Sequence, residues 1–272
     1  MKIGLVLGGG GARGFAHIGV LRALAERGLE PSAIAGCSMG GLVGALHAAG
    51  VGHDEIQQHF NDLPVYRLVD YARRGGLMGH KGIDRALAEH LPATFDELNI
   101  PLAVTAVDVQ EGRSVILRRG DLLPALRATS ALPGIFSPVS HEGRILVDGG
   151  LLNNVPVDVI GVMTLDPVVA VDVGSPPNRK LTFEDHRSFL EKLRAPTPPG
   201  ERPLTIELFM KAFDIPAALM TNLALTAYRP DVLIRPPLDP HLKVEDYNRF
   251  DEAVEVGYKA AVQTLDEAWP VT

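Results

Sequence analysis

A chain of 272 residues with 46% hydrophobic and 22% charged residues has the composition of a folded protein with a sizeable core, which excludes a disordered or low-complexity chain. Its formal charge of -7 leaves no excess of Lys and Arg to neutralise a phosphate backbone, so nucleic acid is a poor partner and broad attraction to anionic membranes is disfavoured. The single cysteine, Cys37, excludes an internal disulfide and a Cys-rich zinc site.

The length suits one α/β domain over residues 1–272, since no stretch reads as a mid-chain linker. Met1-Lys2 and the short apolar run after them lack the long apolar core of a signal peptide, which with the lone cysteine predicts a cytoplasmic protein. Peripheral contact at the inner membrane face stays open, and clusters such as Arg73-Arg74 are local headgroup contacts or simply solvated loop. The oligomeric state is not legible in the sequence.

In chain order, Ile3 to Leu7 is an uninterrupted apolar run of the kind a parallel sheet buries on both faces. A glycine loop follows. From Gly14 to Arg27 the residues Phe15, Ile18, Leu21 and Leu24 recur at helical spacing, with Gly28 as the stop. Ala33 to Gly36 makes a second short strand and Gly40 to Ala49 a helix closed by Gly50. Residues 31–53 carry no Asp, Glu, Lys or Arg and approach the length of a membrane span, but Pro31, Ser38 and repeated glycines favour strand, tight turn and buried helix.

Further strands are predicted at Leu102 to Val107, Ser114 to Leu117, Ile145 to Val147 and Val168 to Val173. Interleaved strands and helices imply an α/β sheet with helices on both faces. Gly174 to Pro203, charged and proline-rich, reads as a surface excursion and a candidate lid. Ile206 to Tyr228 is strongly apolar and broken by Pro216. It is read as a core helix pair, against a membrane-touching or acyl-binding surface that includes Phe209 and Phe213. A strand at Val232 to Arg235 and a helix aligning Phe250, Val254, Tyr258, Ala261 and Leu265 complete the chain.

Three local patterns carry chemistry. Gly36-Cys37-Ser38-Met39-Gly40 puts a serine between glycines where a strand turns into a helix; small neighbours let the backbone bend so the hydroxyl stands clear. Cys37 is the lesser nucleophile, because the residues two positions to either side of it, Ala35 and Met39, are not glycines. Gly8-Gly9-Gly10-Gly11-Ala12-Arg13-Gly14 offers backbone N–H groups to an anion. Gly9, Gly11 and Gly14 also fit a dinucleotide fingerprint, but the end of the second strand lacks the acidic residue that would hold a ribose. An oxyanion hole is the better account. Asp148-Gly149-Gly150 ends an apolar strand, and alone it reads as a turn as readily as a catalytic acid.

None of the nine histidines has a motif that supports a triad role: His47 is too far along the helix from Ser38, His17 lies inside the first helix, and His186 and His241 follow Asp148 but lie in charged or proline-rich stretches. A Ser38–Asp148 dyad therefore leads, with a Ser-His-Asp hydrolase using His186 or His241 as the rival enzyme and a nucleotide- or lipid-binding regulator as the rival binding module. No metal motif is present in the sequence, and no cofactor is expected.

Together these elements, with Arg127 to Phe136 and Asp148 to Pro156, resemble the patatin-like phospholipases, and the tail from Asp231 resembles the bacterial members related to neuropathy target esterase. The resemblance implies a three-layer sandwich with a mostly parallel central sheet and helices on both faces. It also implies Ser38 as nucleophile, Asp148 as its base, and Gly9, Gly10 and Gly11 with Arg13 as the oxyanion loop. Phospholipid or lysophospholipid esters would be the substrates, without a cofactor. The stretch 174–203 departs from the pattern.

Overall fold

The computed structural model describes residues 1–62, 80–175, 204–239, 242 and 249–270. An eight-stranded sheet forms its centre, in the order β5-β6-β3-β2-β1-β7-β8 with β4 paired to β3. Strands β1 (Lys2–Leu7), β2 (Glu30–Gly36), β3 (Leu102–Asp108), β7 (Val168–Val171) and β8 (Val232–Ile234) run parallel. Strands β4 (Arg113–Leu117), β5 (Val139–His141) and β6 (Arg144–Asp148) form an antiparallel flank.

Alternation along the parallel strands separates two cores. Ile3, Leu5 and Leu7 face a large one shared with the helices α1 (Ala16–Glu26), α2 (Met39–Ala48), α3 (His53–Asp62) and α8 (Phe250–Ala268), the last four-turn-plus helix of the chain. Val6, Ala33, Ala35, Ala103 and Ala170 face a smaller one shared with α6 (Val157–Ile160) and Leu225 of the 24-residue helix α7 (Leu204–Ala227). The helices α4 (Lys81–Leu87) and α5 (Leu122–Thr129) also bury residues in the large core. The expected layering, helix on sheet on helix, is observed.

Two details fix the large core. Phe15 meets Phe250 and Phe60 edge to face at 4.5 and 5.2 Å, tying the turn after the glycine loop to α8 and α3. Gly19 of α1 lies against the Val254 carbonyl while Gly257 of α8 lies against Ala16, so these two helices touch backbone to backbone.

The apolar segment around 206–228 differs from its expectation. It is one helix with Pro216 inside, not a helix pair, and it is not core throughout. Pro216 removes a single N–H donor, while Met210, Ala217, Thr221 and Leu225 keep one face buried across it. The first helix also starts later than its apolar spacing predicts, because Gly11–Phe15 forms a 3-10 turn before Ala16.

Candidate active site

The residues that follow the carboxyl ends of β1, β2, β7 and β8 border one cavity of about 390 Å³, the crevice expected at that edge of an open parallel sheet. Its lining includes Gly9, Gly10, Gly11, Ser38, Asp148 and Asn154 from the sheet edge, and Met210, Phe213, Ala217 and Thr221 from α7.

Strand register brings serine and acid together. The β2 strand ends at Gly36 opposite Val104 of β3, and β6 ends at Asp148 opposite Ala106, two residues further along. With β4 occupying the other edge of β3 over Val104 to Asp108, β2 and β6 approach head-on along the same edge. Two residues beyond Gly36 is Ser38, so the register alone places it level with Asp148.

Ser38 caps α2 with φ 49° and ψ -126°, a conformation in which an L-residue is strained and which persists only where the surroundings hold it. Its own N–H donates to Thr129 Oγ1 at 2.9 Å. Gly40 makes the turn possible by close approach, since a Cβ there would fall on the carbonyl oxygens of Leu7 and Gly8. Gly36 is also set close against the backbone of Gly41, where a Cβ would lie 2.7 Å from its Cα.

Asp148 is buried, 4% exposed, and lines the same cavity as Ser38. Its Oδ1 accepts the Gly150 N–H at 2.8 Å and lies 3.7 Å from the Cys37 thiol. Desolvation pushes its pKa up to about 6, against the neighbouring Gly150, Ser38 and Cys37 groups, which favour the charged form. Gly149 fits beneath the turn because a side chain there would strike Thr105. Burial, with Asp148 nearby, pushes the Cys37 thiol up, so it stays protonated.

The glycine loop divides by function. Gly9 donates its N–H to the Asn154 carbonyl at 3.2 Å and accepts Asn154 Nδ2 at 3.1 Å on its own carbonyl. In a trans peptide this second bond turns the Gly10 N–H to the opposite side. Gly10 and Gly11 line the cavity and donate to no acceptor among the described residues. Gly11 has φ 55°, open to glycine without strain. Gly14 leaves room for the Met39 side chain.

Arg13 is buried, and its guanidinium donates to the carbonyls of Val173, Gly174 and Asp239, bracing the loop rather than reaching over it. His17 lies under the loop with Nε2 2.7 Å from the Gly8 carbonyl. Burial lowers its pKa to about 4, so the ring is neutral and the carbonyl assigns its proton to Nε2.

Residues 5–160 match the patatin-like phospholipase family model, more than half of the chain. The chain belongs to the patatin-like phospholipase family. Its relatives include an uncharacterized NTE family protein of Mycobacterium tuberculosis, 40% identical over 177 residues that cover 63% of this chain and 49% of the relative. A lysophospholipase of Aspergillus fumigatus is 30% identical over 97% of this chain and 18% of its own length. The chain thus spans about half, or less, of the curated relatives it matches. VipD from Legionella pneumophila shares the fold with a TM-score of 0.52 at 16% identity, covering 98% of this chain and 67% of that one.

Asn154 and Thr129 carry the site's geometry without having been singled out by the sequence. Each lies inside a segment that resembles the family, but its partner is 145 and 91 residues away, so no local pattern reveals the bond. No histidine lines the cavity among the described residues, and His186, His241 and the side chain of Phe209 lie outside them. So do residues 176–203 of the expected lid, although Gly174 and Ser175 at its start border the cavity. No group of His, Cys, Asp or Glu that could hold a metal occurs among the described residues, and none of their helices is long and apolar enough to cross a membrane.

Proposed function

We propose that the chain is a serine acyl-ester hydrolase of lipid esters, phospholipid or lysophospholipid in class. Ser38 is the nucleophile, Asp148 the base, and the Gly10 and Gly11 N–H groups form the oxyanion hole. The observation that carries this is a serine on a strained strand-to-helix turn, lining one cavity with a buried carboxylate of raised pKa and with Gly10 and Gly11, whose N–H groups have no acceptor among the described residues. The name of the fungal relatives, lysophospholipase, agrees with the substrate class.

In the reaction, Ser38 Oγ attacks the ester carbonyl as its proton passes to Asp148. The carbonyl oxygen becomes an anion facing the two N–H groups and the positive end of α2. The carbon–oxygen bond to the alcohol breaks, the alcohol leaves with the proton from Asp148, and the acyl group stays on Ser38. Water then gives a proton to Asp148, attacks the acyl carbon and releases the acid, and the proton returns to Ser38. A carboxylate with a pKa near 6 is a stronger base than a solvated one, so burial serves the first step directly.

Treating the protein with a small fluorophosphonate and mapping the modified peptide by mass tests this reading. An adduct on Ser38 that is absent from Ser38→Ala is expected, and no adduct on the folded wild-type protein would remove the hydrolase reading.

Asn154 acts in this scheme through the peptide it clamps. Asn154→Ala is expected to lower kcat for a soluble ester about 100-fold with little change in KM, as displaced oxyanion donors would. Steady-state kinetics check it. An unchanged kcat would mean that the clamp only packs the loop.

A further inference from the structure

We infer that the outer face of α7 docks on a zwitterionic lipid surface and delivers substrate to the cavity behind it. This rests on the lipid-ester reading of the site.

The helix has two unlike faces. Met210, Phe213, Ala217 and Thr221 turn inward and line the cavity that holds Ser38. Ile215, Leu219 and Leu223, spaced so that they stack along one side of a helix, are 52%, 60% and 56% exposed, with Met220 beside them. No Asp, Glu, Lys or Arg occurs from 215 to 227. An aqueous helix face ordinarily carries charge, so an exposed apolar stripe without any marks a surface that meets something apolar.

Size and position decide between a second copy of the chain and a lipid surface. With Tyr228 at its foot the stripe offers five large apolar side chains, against roughly 20 to 30 residues a side in a stable protein interface. A helix lying in the headgroup region needs only such a stripe, and α7 is not long and apolar enough to cross the bilayer. The same helix forms the cavity wall, so an acyl chain leaving the lipid layer has one element to pass. The formal charge of -7 opposes adsorption to anionic lipid, so insertion of the stripe into a zwitterionic surface, insensitive to salt, is the mode that fits.

The test compares the full chain with the double variant Leu219→Glu, Leu223→Glu, neither of which lines the cavity. Co-sedimentation with phosphatidylcholine vesicles at low and high salt is measured together with hydrolysis of a soluble short-chain ester and of the vesicle lipid. The wild-type protein is expected to sediment with the vesicles at both salt concentrations. The variant should partition at least about tenfold less and lose vesicle hydrolysis in proportion, with short-chain hydrolysis within about twofold.

Equal partitioning of the two proteins, or no binding by the wild type, overturns the inference. So does binding confined to phosphatidylserine-containing vesicles and abolished by salt, and so does a wild-type dimer that the variant dissolves, which would assign the face to a second copy. A wild-type protein that binds vesicles but cleaves neither ester leaves the docking face standing and removes the hydrolase reading instead.

Discussion

Asp148→Asn is expected to lower kcat for a soluble ester by about 100-fold to 10,000-fold, the range a positioned general base contributes, while making the protein more stable at neutral pH. Both effects come from the same burial. The folded-state pKa of Asp148 is raised from 3.8 to about 6 by desolvation, so protonated Asp148 is the form the fold prefers. Its favourable contribution is fully present below pH 3.8 and is lost as pH rises through about 6.

Above that, holding the carboxylate in the folded state costs about 3 kcal/mol, taking about 1.4 kcal/mol for each pKa unit. Asparagine has no charge to desolvate, and its amide oxygen can still accept the Gly150 N–H. The variant should therefore melt several degrees above the wild type at pH 8 and lose that advantage below pH 4. In the wild type, kcat/KM should fall about tenfold per pH unit below 6, as the base becomes protonated. Thermal melts at the two pH values and a pH–rate profile check the pair. A variant that retains activity, or a wild-type profile flat between pH 5 and 7, would take the base role from Asp148.

The parts legible in the sequence are those in which one short segment carries its own reason. The run Ile3 to Leu7 needs only burial on both faces to be a strand, and Ser38 needs only its flanking glycines to be placed on a turn. What escaped depends on distant segments meeting. Asp148 alone reads as an ordinary turn residue; it becomes a buried acid because Ala106 and Val104 on one edge of β3 take β6 and β2 end to end. The division of labour in the glycine loop escaped for the same reason. Gly9 and Gly10 are indistinguishable by composition, and it is Asn154 that occupies the first and leaves the second facing the cavity. Along 206–228, high overall hydrophobicity hid an inner and an outer face, because both are apolar and only the tertiary structure says which one meets water.

The same dependence on long-range fit makes Gly40 a severe test of the elbow. In Gly40→Ala the new methyl would overlap the Leu7 and Gly8 carbonyl oxygens, backbone atoms at the end of β1 that cannot move as a flexible side chain would. Either α2 lifts from the sheet or the glycine loop is pushed away from Ser38, and both separate the proposed nucleophile from the Gly10 N–H. We expect a loss of about 3 kcal/mol in stability and a fall of more than about 100-fold in turnover and in the rate of fluorophosphonate labelling.

Gly44→Ala, one turn along the same helix, is the control. Its methyl would meet the Ile34 Cγ2 at 3.1 Å, a side-chain contact that needs only a few tenths of an ångström of relief, unlike the backbone overlap at Gly40, and alanine improves helix propensity by about 1 kcal/mol. That variant should melt and label close to wild type. If Gly40→Ala did the same, the strand-to-helix turn would have slack that the close approach of α2 to β1 denies, and the strained φ of Ser38 could not be attributed to the packing around it.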